Sequence, residues 1–431
     1  MTFDEKEYIT ITANSSKSIM QRTIALAFLS DSSSKIFNPD FSEDSQNALM
    51  LIENLGCKVN KSIESIEIIP KTEFSFPELL NVNCGESGLL MRMFTAILSI
   101  FPNSFIIDGS GTLKNRILFD IEDILKKLGA KVKSNNYLLP LELHGPIKSG
   151  NIKLDASKTS QFLSGLIIAL PKLSESSTIH IKNLVSKPYI DLTIDSVRKF
   201  GGKIDFENDV MKLYPSVYKG QEVIIEGDWS NAAVFLIAGA IAGEVNVTGL
   251  NIYSLQGDKK ILEVIEQVGA KIQYNSEGSV ESKTEHSQTT FFQKRELVAV
   301  KVKKHELKAF DFDAKDTPDL VPYLSVLAAN CDGKSAIHNV SRINFKESKR
   351  LELIIKNLSQ LKIKCSIIND TLEIWGGELQ GGIFETGNDH RLAMAGALAS
   401  LTSDEKIVID DTDCVKKSYP NFWEEFSKLI D

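Results

Sequence analysis

Lys346-Glu347-Ser348-Lys349-Arg350 packs three cations around one carboxylate, and Asp389-His390-Arg391 puts an imidazole and a guanidinium at the head of an apolar run. Lys17 and Arg22 frame the start of another such run, NSSKSIMQRTIALAFL, from Asn14 to Leu29. Ser or Asn ahead of such a run marks a helix start, where unpaired N–H groups and the helix dipole favour an anion. A cation there is disfavoured unless an anion compensates it. Yet cations recur beside expected helix starts along the chain: Lys17, Arg22, Arg92, Arg116, Lys346, Arg350, His390, Arg391 and Lys417. Each alone reads as an ordinary capped helix or a solvated face. Together they point to a site for one or two small, multiply anionic molecules, with Asp319 and Glu347 as carboxylates able to act as acid and base.

Smaller motifs carry the same theme. Glu86-Ser87-Gly88-Leu89-Leu90-Met91-Arg92 places a glycine in a first helical turn, where a ligand can approach the backbone N–H groups. Lys114 and Arg116 follow a Gly-Ser-Gly turn at Gly109 to Gly111. Thr159-Ser160-Gln161 offers two hydroxyls and an amide, which suit a phosphate or a sugar-like hydroxyl and equally suit a double cap. Ser186-Lys187-Pro188-Tyr189 reads as a helix start with proline at its first position and an outward-facing tyrosine. Asp319 follows Pro318 at another start, where the dipole favours an acid. Lys416-Lys417-Ser418-Tyr419-Pro420 closes the series.

The elements that must position these residues repeat. An amphipathic helix end followed by a strand recurs as Leu55-Gly56-Cys57-Lys58-Val59, Leu128-Gly129-Ala130-Lys131-Val132, Phe200-Gly201-Gly202-Lys203-Ile204 and Val268-Gly269-Ala270-Lys271-Ile272, with a degraded copy at Leu361-Lys362-Ile363-Lys364-Cys365. Glycine there supplies a left-handed cap, and the β-branched residue opens a strand. Alternating with this element is a nearly all-apolar, Ala-rich helix, expected to begin near Ser16, Ser87, Thr159, Asp228, Thr317 and Asn388. Starts roughly 70 to 90 residues apart suit a small α/β unit repeated six times. If those helix starts converge on one cleft, the cleft is positive in a negative chain. Glu226-Gly227-Asp228 is the expected break between halves of similar size. Ser276 to Glu296 reads as a loop or a weak edge strand.

Composition sets the outer bounds. A chain of 431 residues is too long for one core and is expected to form two domains. No apolar run is long enough to span a membrane, and MTFDEKEYIT lacks the pattern of a signal peptide. Five scattered cysteines without a C-x-x-C pair suggest reduced thiols in a cytoplasm, not disulfides or zinc. A net charge of −8 argues against nucleic acid as partner and requires that any anionic substrate be held by a local basic cluster.

With SKSIMQR, TSQFLSGL, SKPYIDLT, EGDWSNAAVFL, SLQGD, PDLVPYLSVLA, FKESKR, NDHRLAMA and CVKKSYP in order along it, the chain resembles the 5-enolpyruvylshikimate-3-phosphate synthase (3-phosphoshikimate 1-carboxyvinyltransferase) family. The resemblance implies an α/β, two-domain enolpyruvyl transferase fold of six βαβαββ-like units, three per domain, with buried helix starts facing the interdomain cleft. Residues 1–15 and 227–431 would form one domain and 16–226 the other, closing on a hinge near Ser15–Lys17. It further implies transfer of the carboxyvinyl group of phosphoenolpyruvate to the 5-hydroxyl of shikimate 3-phosphate, through a tetrahedral intermediate, without metal or organic cofactor, in a cytoplasmic monomer of the shikimate (chorismate, aromatic amino-acid) pathway.

Carried over by position, Glu347 gives and retrieves the methylene proton, Asp319 takes the hydroxyl proton, Lys17 stabilises developing charge, and His390 lies near the reacting centre. Arg350 and Arg391 would hold the phosphoenolpyruvate carboxylate; Lys17, Gly88, Arg116, Gln161 and Lys417 its phosphate. Ser18 and Arg22 would take the shikimate carboxylate; Thr159, Ser160 and Ser186 the 3-phosphate, with Gln161 and Tyr189 against the ring. Lys346 would contact the phosphate and the hydroxyl region. The chain departs from the family pattern at Glu86, Leu89, Arg342, Ile343-Asn344-Phe345 and Lys349. Two other readings remain open here. The sister transferase acting on UDP-N-acetylglucosamine uses a cysteine where this chain has Gly111. A non-catalytic anion-binding relative would bind without turnover.

Overall fold

Six Ala- and Leu-rich runs form helices buried around nearly their whole circumference: α1 (Lys17–Leu29), α2 (Gly88–Leu98), α3 (Gln161–Ala169), α4 (Trp229–Ala242), α5 (Val321–Ala329) and α6 (His390–Ser400). An apolar surface on every face places a helix at the centre of a core. The computed structural model describes residues 9–430 except 72, 75 and 287–288, with the backbone alone for 278–295. Among the described residues no helix is long and apolar enough to cross a membrane.

Each buried helix begins close to its expected residue. Ser87 Oγ accepts from Leu90 N at 3.3 Å, Asp228 Oδ1 from Asn231 N at 2.9 Å, and Asp389 Oδ1 from Arg391 N at 3.0 Å. Ser16 and Ser160 occupy cap positions without a side-chain cap bond. α5 is entered through a short 3-10 turn, Pro318–Leu320, that carries Asp319.

The outer helices end as their repeat element requires. Gly56 N donates to Glu53 O and Cys57 N to Ile52 O, with Gly56 at φ +101°. The degraded copy closes in the same way through Lys362 and Ile363. Lys362 must then adopt φ 64°, a conformation that costs a non-glycine residue roughly 1–2 kcal/mol.

Five of the six repeats carry a four-stranded sheet of one order, two parallel strands and then an antiparallel hairpin, and in three of them the buried helix joins the parallel pair. Leu79–Asn83, Ser104–Asp108, Leu138–His144 and Lys131–Asn135 lie side by side in this way, and Asn151–Asp155, Ser177–Lys182, Val210–Tyr214 and Lys203–Glu207 repeat it. The sixth repeat is shortened to the parallel pair Gly382–Phe384 and Ile407–Ile409. The described residues of the polar stretch 276–296 lie within two long antiparallel strands, Lys271–His286 and Thr289–Lys303, with a register shift between Ser276 and Gly278. Of the two expectations there, the loop is corrected and the edge strand holds, since Lys271–His286 lies at the edge of its sheet; a polar ribbon lacks the period-two apolar signal that would have separated them.

The chain divides into two compact units, Met1–Asn14 with Glu226–Asp431, and Ser15–Ile225, each with its own apolar core. The division follows from an exchange of strands. Ile9–Thr12 precedes α1 in sequence but pairs in parallel with Glu244–Asn251 and so heads the α4 repeat. Glu222–Ile224 precedes α4 but pairs in parallel with Ser34–Phe37 and heads the α1 repeat. Where the chain re-enters the first unit, buried Glu226 accepts from the side chains of Asn251, Ser254 and Gln256, and Asp228 N donates to Asn14 O at 2.7 Å. The EGDWS and SLQGD motifs are thus one structural joint.

Candidate functional site

The expected site residues fall on both units, and each set has its own geometry. In the Ser15–Ile225 unit, Lys17 opens α1 with its Nζ 3.0 Å from Asp44 Oδ2. One turn on, Arg22 is 1% exposed. Its Nε donates to Thr193 Oγ1 at 2.8 Å, and its terminal nitrogens donate to Ser18 O at 2.7 Å and Tyr189 O at 3.2 Å. Its guanidinium carbon lies 5.9 Å from the centre of the Tyr189 ring. Burial lowers its pKa to about 10, with Tyr189 opposing the shift. Arg22 therefore ties α1 to the helix Lys187–Lys199 and fixes Ser18 and Tyr189 about itself. Tyr189 is half-buried, not turned fully outward.

A second cluster gathers at the start of α2. A Cβ on Gly88 would lie 2.6 Å from Arg116 Nη1, 2.9 Å from Arg92 Nη1 and 3.5 Å from Gln161 Oε1. Arg92 Nη1 donates to Gln161 Oε1 at 2.9 Å and to Gly88 O at 3.2 Å. Two guanidinium groups and an amide thus converge on a bare backbone position, an arrangement suited to a multiply charged anion. The Glu86 carboxylate accepts from Thr112 N and Thr112 Oγ1, each at 3.2 Å, and folds onto Gly111. This departure from the family pattern braces the loop that leads to Arg116.

Thr159 and Ser160 stand immediately ahead of α3, where Thr159 Oγ1 accepts from Gln161 N at 3.2 Å. Ser186 caps the helix Lys187–Lys199 in a left-handed conformation, φ 54°. These are hydroxyls at two neighbouring helix starts, since Arg22 touches both helices through Ser164 on α3 and Thr193.

The other unit gathers its residues around Arg350, which is 1% exposed at the start of the helix Arg350–Gln360. Its Nη1 donates to Asp319 Oδ1 at 2.6 Å, its Nε to Asp389 Oδ2 at 2.7 Å, and its Nη2 to Glu347. Lys346 Nζ lies 3.4 Å from the same Asp319 oxygen. Burial alone would push the Asp319 carboxyl up; Lys346, Arg350 and Arg391 outweigh it and hold the group well below the usual carboxylate range. Burial lowers the Lys346 ammonium pKa, with Asp319 opposing the shift.

Asp389 is fully buried, caps α6, and also accepts from Ser348 Oγ at 3.0 Å. The Arg391 guanidinium finds its acids elsewhere, in Asp319 and Asp228. Arg391 Nη1 donates to Asn231 Oδ1 at 2.9 Å and to Tyr323 OH at 3.0 Å. Burial pushes the Tyr323 phenol up to about 12, with Arg391 opposing. Asn231 also donates to Ser418 O at 3.1 Å, and Lys417 Nζ donates to Asn388 O at 2.7 Å. His390 is 3% exposed, its Nδ1 4.0 Å from Asp389 Oδ1. Starts of α4, α5 and α6 thereby join one polar network.

The resemblance grouped Lys17, Gly88, Arg116, Gln161 and Lys417; of these Gly88, Arg116 and Gln161 lie together, while Lys17 lies against Asp44 and Lys417 against Asn388 O. Asp319, Lys346, Glu347 and Arg350 lie together. Sequence reasoning gave no role to Asp389, Asn231, Tyr323 or Asp44, and counted Arg92 only as a cation. An Asn or Tyr inside an otherwise apolar helix is a usable signal, because a buried polar group must find a partner. Of the other departures, Asn344 Oδ1 accepts from Leu351 N at 2.8 Å at the head of the Arg350 helix, and exposed Lys349 pairs with Glu352 at 3.4 Å.

The sequence model of the family EPSP synthase (3-phosphoshikimate 1-carboxyvinyltransferase) matches residues 8–426. The 3-phosphoshikimate 1-carboxyvinyltransferase of Thermococcus kodakarensis is 35% identical over 421 residues, covering 98% of this chain and 97% of that one. The enzyme of that name from Clostridium acetobutylicum is 36% identical over 428 residues, covering 96% and 93%. An EPSP synthase structure from Acinetobacter baumannii superposes with a TM-score of 0.79 at 21% identity, covering 97% and 95%. The enolpyruvyl transferase NikO from Streptomyces tendae gives 0.71 at 13%, covering 97% and 94%. These two structures share the fold, and the full-length sequence matches settle the family. The chain belongs to the EPSP synthase (3-phosphoshikimate 1-carboxyvinyltransferase) family.

Proposed function

We propose that this protein transfers the carboxyvinyl group of phosphoenolpyruvate to the 5-hydroxyl of shikimate 3-phosphate, with release of phosphate, and that the two units carry the two halves of the work as its two domains. The observation that carries the assignment of roles is the Arg350 cluster. A buried guanidinium with Asp319 and Glu347 on its terminal nitrogens holds two carboxylates where an acid and a base are needed.

In the addition step the hydroxyl oxygen bonds to the central carbon of phosphoenolpyruvate. The carbon–carbon π bond breaks, the methylene carbon takes a proton from Glu347, which enters the step as the carboxylic acid, and the hydroxyl proton passes to Asp319. In the elimination step the carbon–oxygen bond to phosphate breaks. Glu347 takes a proton back from the methyl group, the double bond reforms, and the proton on Asp319 leaves with phosphate or to solvent. Asp319, ionised beside Lys346 and Arg350, starts in the form that accepts a proton. Its carboxyl is a weak base while Arg350 holds it, so a substrate carboxylate that draws Arg350 away strengthens that base.

Arg350 and Arg391 receive the phosphoenolpyruvate carboxylate. Lys17, Gly88, Arg116, Gln161 and Lys417 receive its phosphate, and His390 stands near the reacting carbon. Ser18, with Arg22 behind it, faces the shikimate carboxylate. Thr159, Ser160 and Ser186 take the 3-phosphate, Gln161 and Tyr189 the ring, and Lys346 the hydroxyl side. The enzyme works as a monomer in a reducing cytoplasm, which suits its five free cysteines.

Phosphate release from phosphoenolpyruvate, with and without shikimate 3-phosphate, tests the reaction. Release that requires shikimate 3-phosphate is expected, and Glu347→Gln and Lys17→Met should each abolish it. Release without the acceptor would overturn the reaction, and normal turnover in either variant would overturn its role.

A further inference from the structure

Lys17 is a cation at the N-terminal end of α1, the end that disfavours it. Its partner, Asp44, stands in the first turn of the helix Glu43–Asn54, the end that favours a carboxylate. The two side chains are 15% and 12% exposed. That first turn is itself pinned. Ser42, at the cap position, makes no side-chain bond to its own helix. Its hydroxyl and that of Ser45 both donate to Asp40 Oδ2, and Ser42 N donates to Asp40 Oδ1 at 3.3 Å. Asp40 lies just ahead of the helix and is 4% exposed. Residues on either side of Asp44 are therefore anchored to one buried carboxylate.

The anchor is a costly one. Burial pushes the Asp40 carboxyl up to about 6, against the two serines and the charge of Lys17. A neutral cap would hold a helix start without that cost, so the buried acid calls for a reason beyond capping.

We propose that Asp44, braced by Asp40 through Ser42 and Ser45, is the positioning residue for Lys17, holding its ammonium in place at the head of α1 until a substrate anion takes it over. The proposal rests on Lys17 acting in the reaction as described above. An ammonium exchanged from one anion to another avoids the cost of a partly buried unpaired charge. A pinned turn places it without the entropy loss that a free lysine would meet during the reaction.

Asp44 also competes with the substrate anion for Lys17, which separates positioning from a merely structural role. In Asp44→Asn, kcat is expected to fall about tenfold while KM for phosphoenolpyruvate does not rise, and Asp44→Glu should recover part of the rate. Trace acetylation with acetic anhydride, read by mass spectrometry at Lys17 against exposed Lys349, gives a second measure independent of turnover. Lys17 should label more slowly than Lys349 in the wild type, about tenfold faster in Asp44→Asn, and by an intermediate factor in Asp40→Asn. Unchanged Lys17 labelling in Asp44→Asn would overturn the proposal. So would equal loss of kcat in Asp44→Asn and Asp44→Glu with a matching fall in Tm. If the wild type releases no phosphate, the functional reading fails, and the labelling still decides whether Asp44 holds Lys17.

Discussion

At Gly88, in the Ser15–Ile225 unit, two guanidinium groups and an amide surround a backbone position that has no side chain of its own. At Arg350, in the other unit, one guanidinium is wrapped by the carboxylates of Asp319, Glu347 and Asp389. Both clusters are built at helix starts and both are buried, yet one concentrates cations and the other neutralises a cation with acids. The first arrangement suits the capture of a phosphate. The second suits proton transfer, because acids held on a shared cation can be released by a competing carboxylate. The difference teaches that what matters is which charges are paired inside the protein.

Four changes bear on this comparison. Asp389→Asn removes an acid from a fully buried pair and should cost about 3–5 kcal/mol, read as a lower denaturant midpoint. A loss under 1 kcal/mol would show that Arg350 is adequately held by the other two acids. Asp40 sets the matching test in the cation-rich unit. Its folded pKa of about 6 lies above its unfolded value, so the folded state binds the proton more tightly. Stability from this group is full below about pH 4 and falls as pH rises to about 6, by roughly 3 kcal/mol. Asp40→Asn should flatten that slope in unfolding curves taken across this range, and an unchanged slope would break the assignment.

Gly88→Ala sharpens the comparison at the backbone cradle. The added methyl would sit 2.6 Å from Arg116 Nη1, so the guanidinium must shift. KM for phosphoenolpyruvate should rise about tenfold with a smaller change in kcat. Lys349→Asp, at an exposed pair with Glu352, should move stability by under about 0.5 kcal/mol and leave turnover unchanged. A large effect there would mean that the acid–cation network extends to the surface.

Much of the fold was legible because its signals are local. Ser87, Asp228 and Asp389 cap the helices they precede, and Gly56, Gly129, Gly201 and Gly269 adopt positive φ where their repeat element required it. Around residues 276–296 a strand was only one of two readings, because pairing with a neighbouring strand, not an apolar alternation, makes the hairpin. In the site, Arg350 reads from sequence as one cation of a solvated run, and only its burial reveals it as the centre of a network.

The sequence by itself determined the repeat, the helix starts and the list of chemically able residues, since caps, turns and apolar periodicity act over a few residues. Tertiary structure decided which of those residues meet. Asp389 reaches Arg350 across 39 residues, Asn231 reaches Arg391 across 160, and Ile9–Thr12 joins a sheet with Glu244–Asn251 instead of the repeat it precedes. Such pairings are set by core packing and strand exchange between distant segments, and no short window of sequence contains both partners.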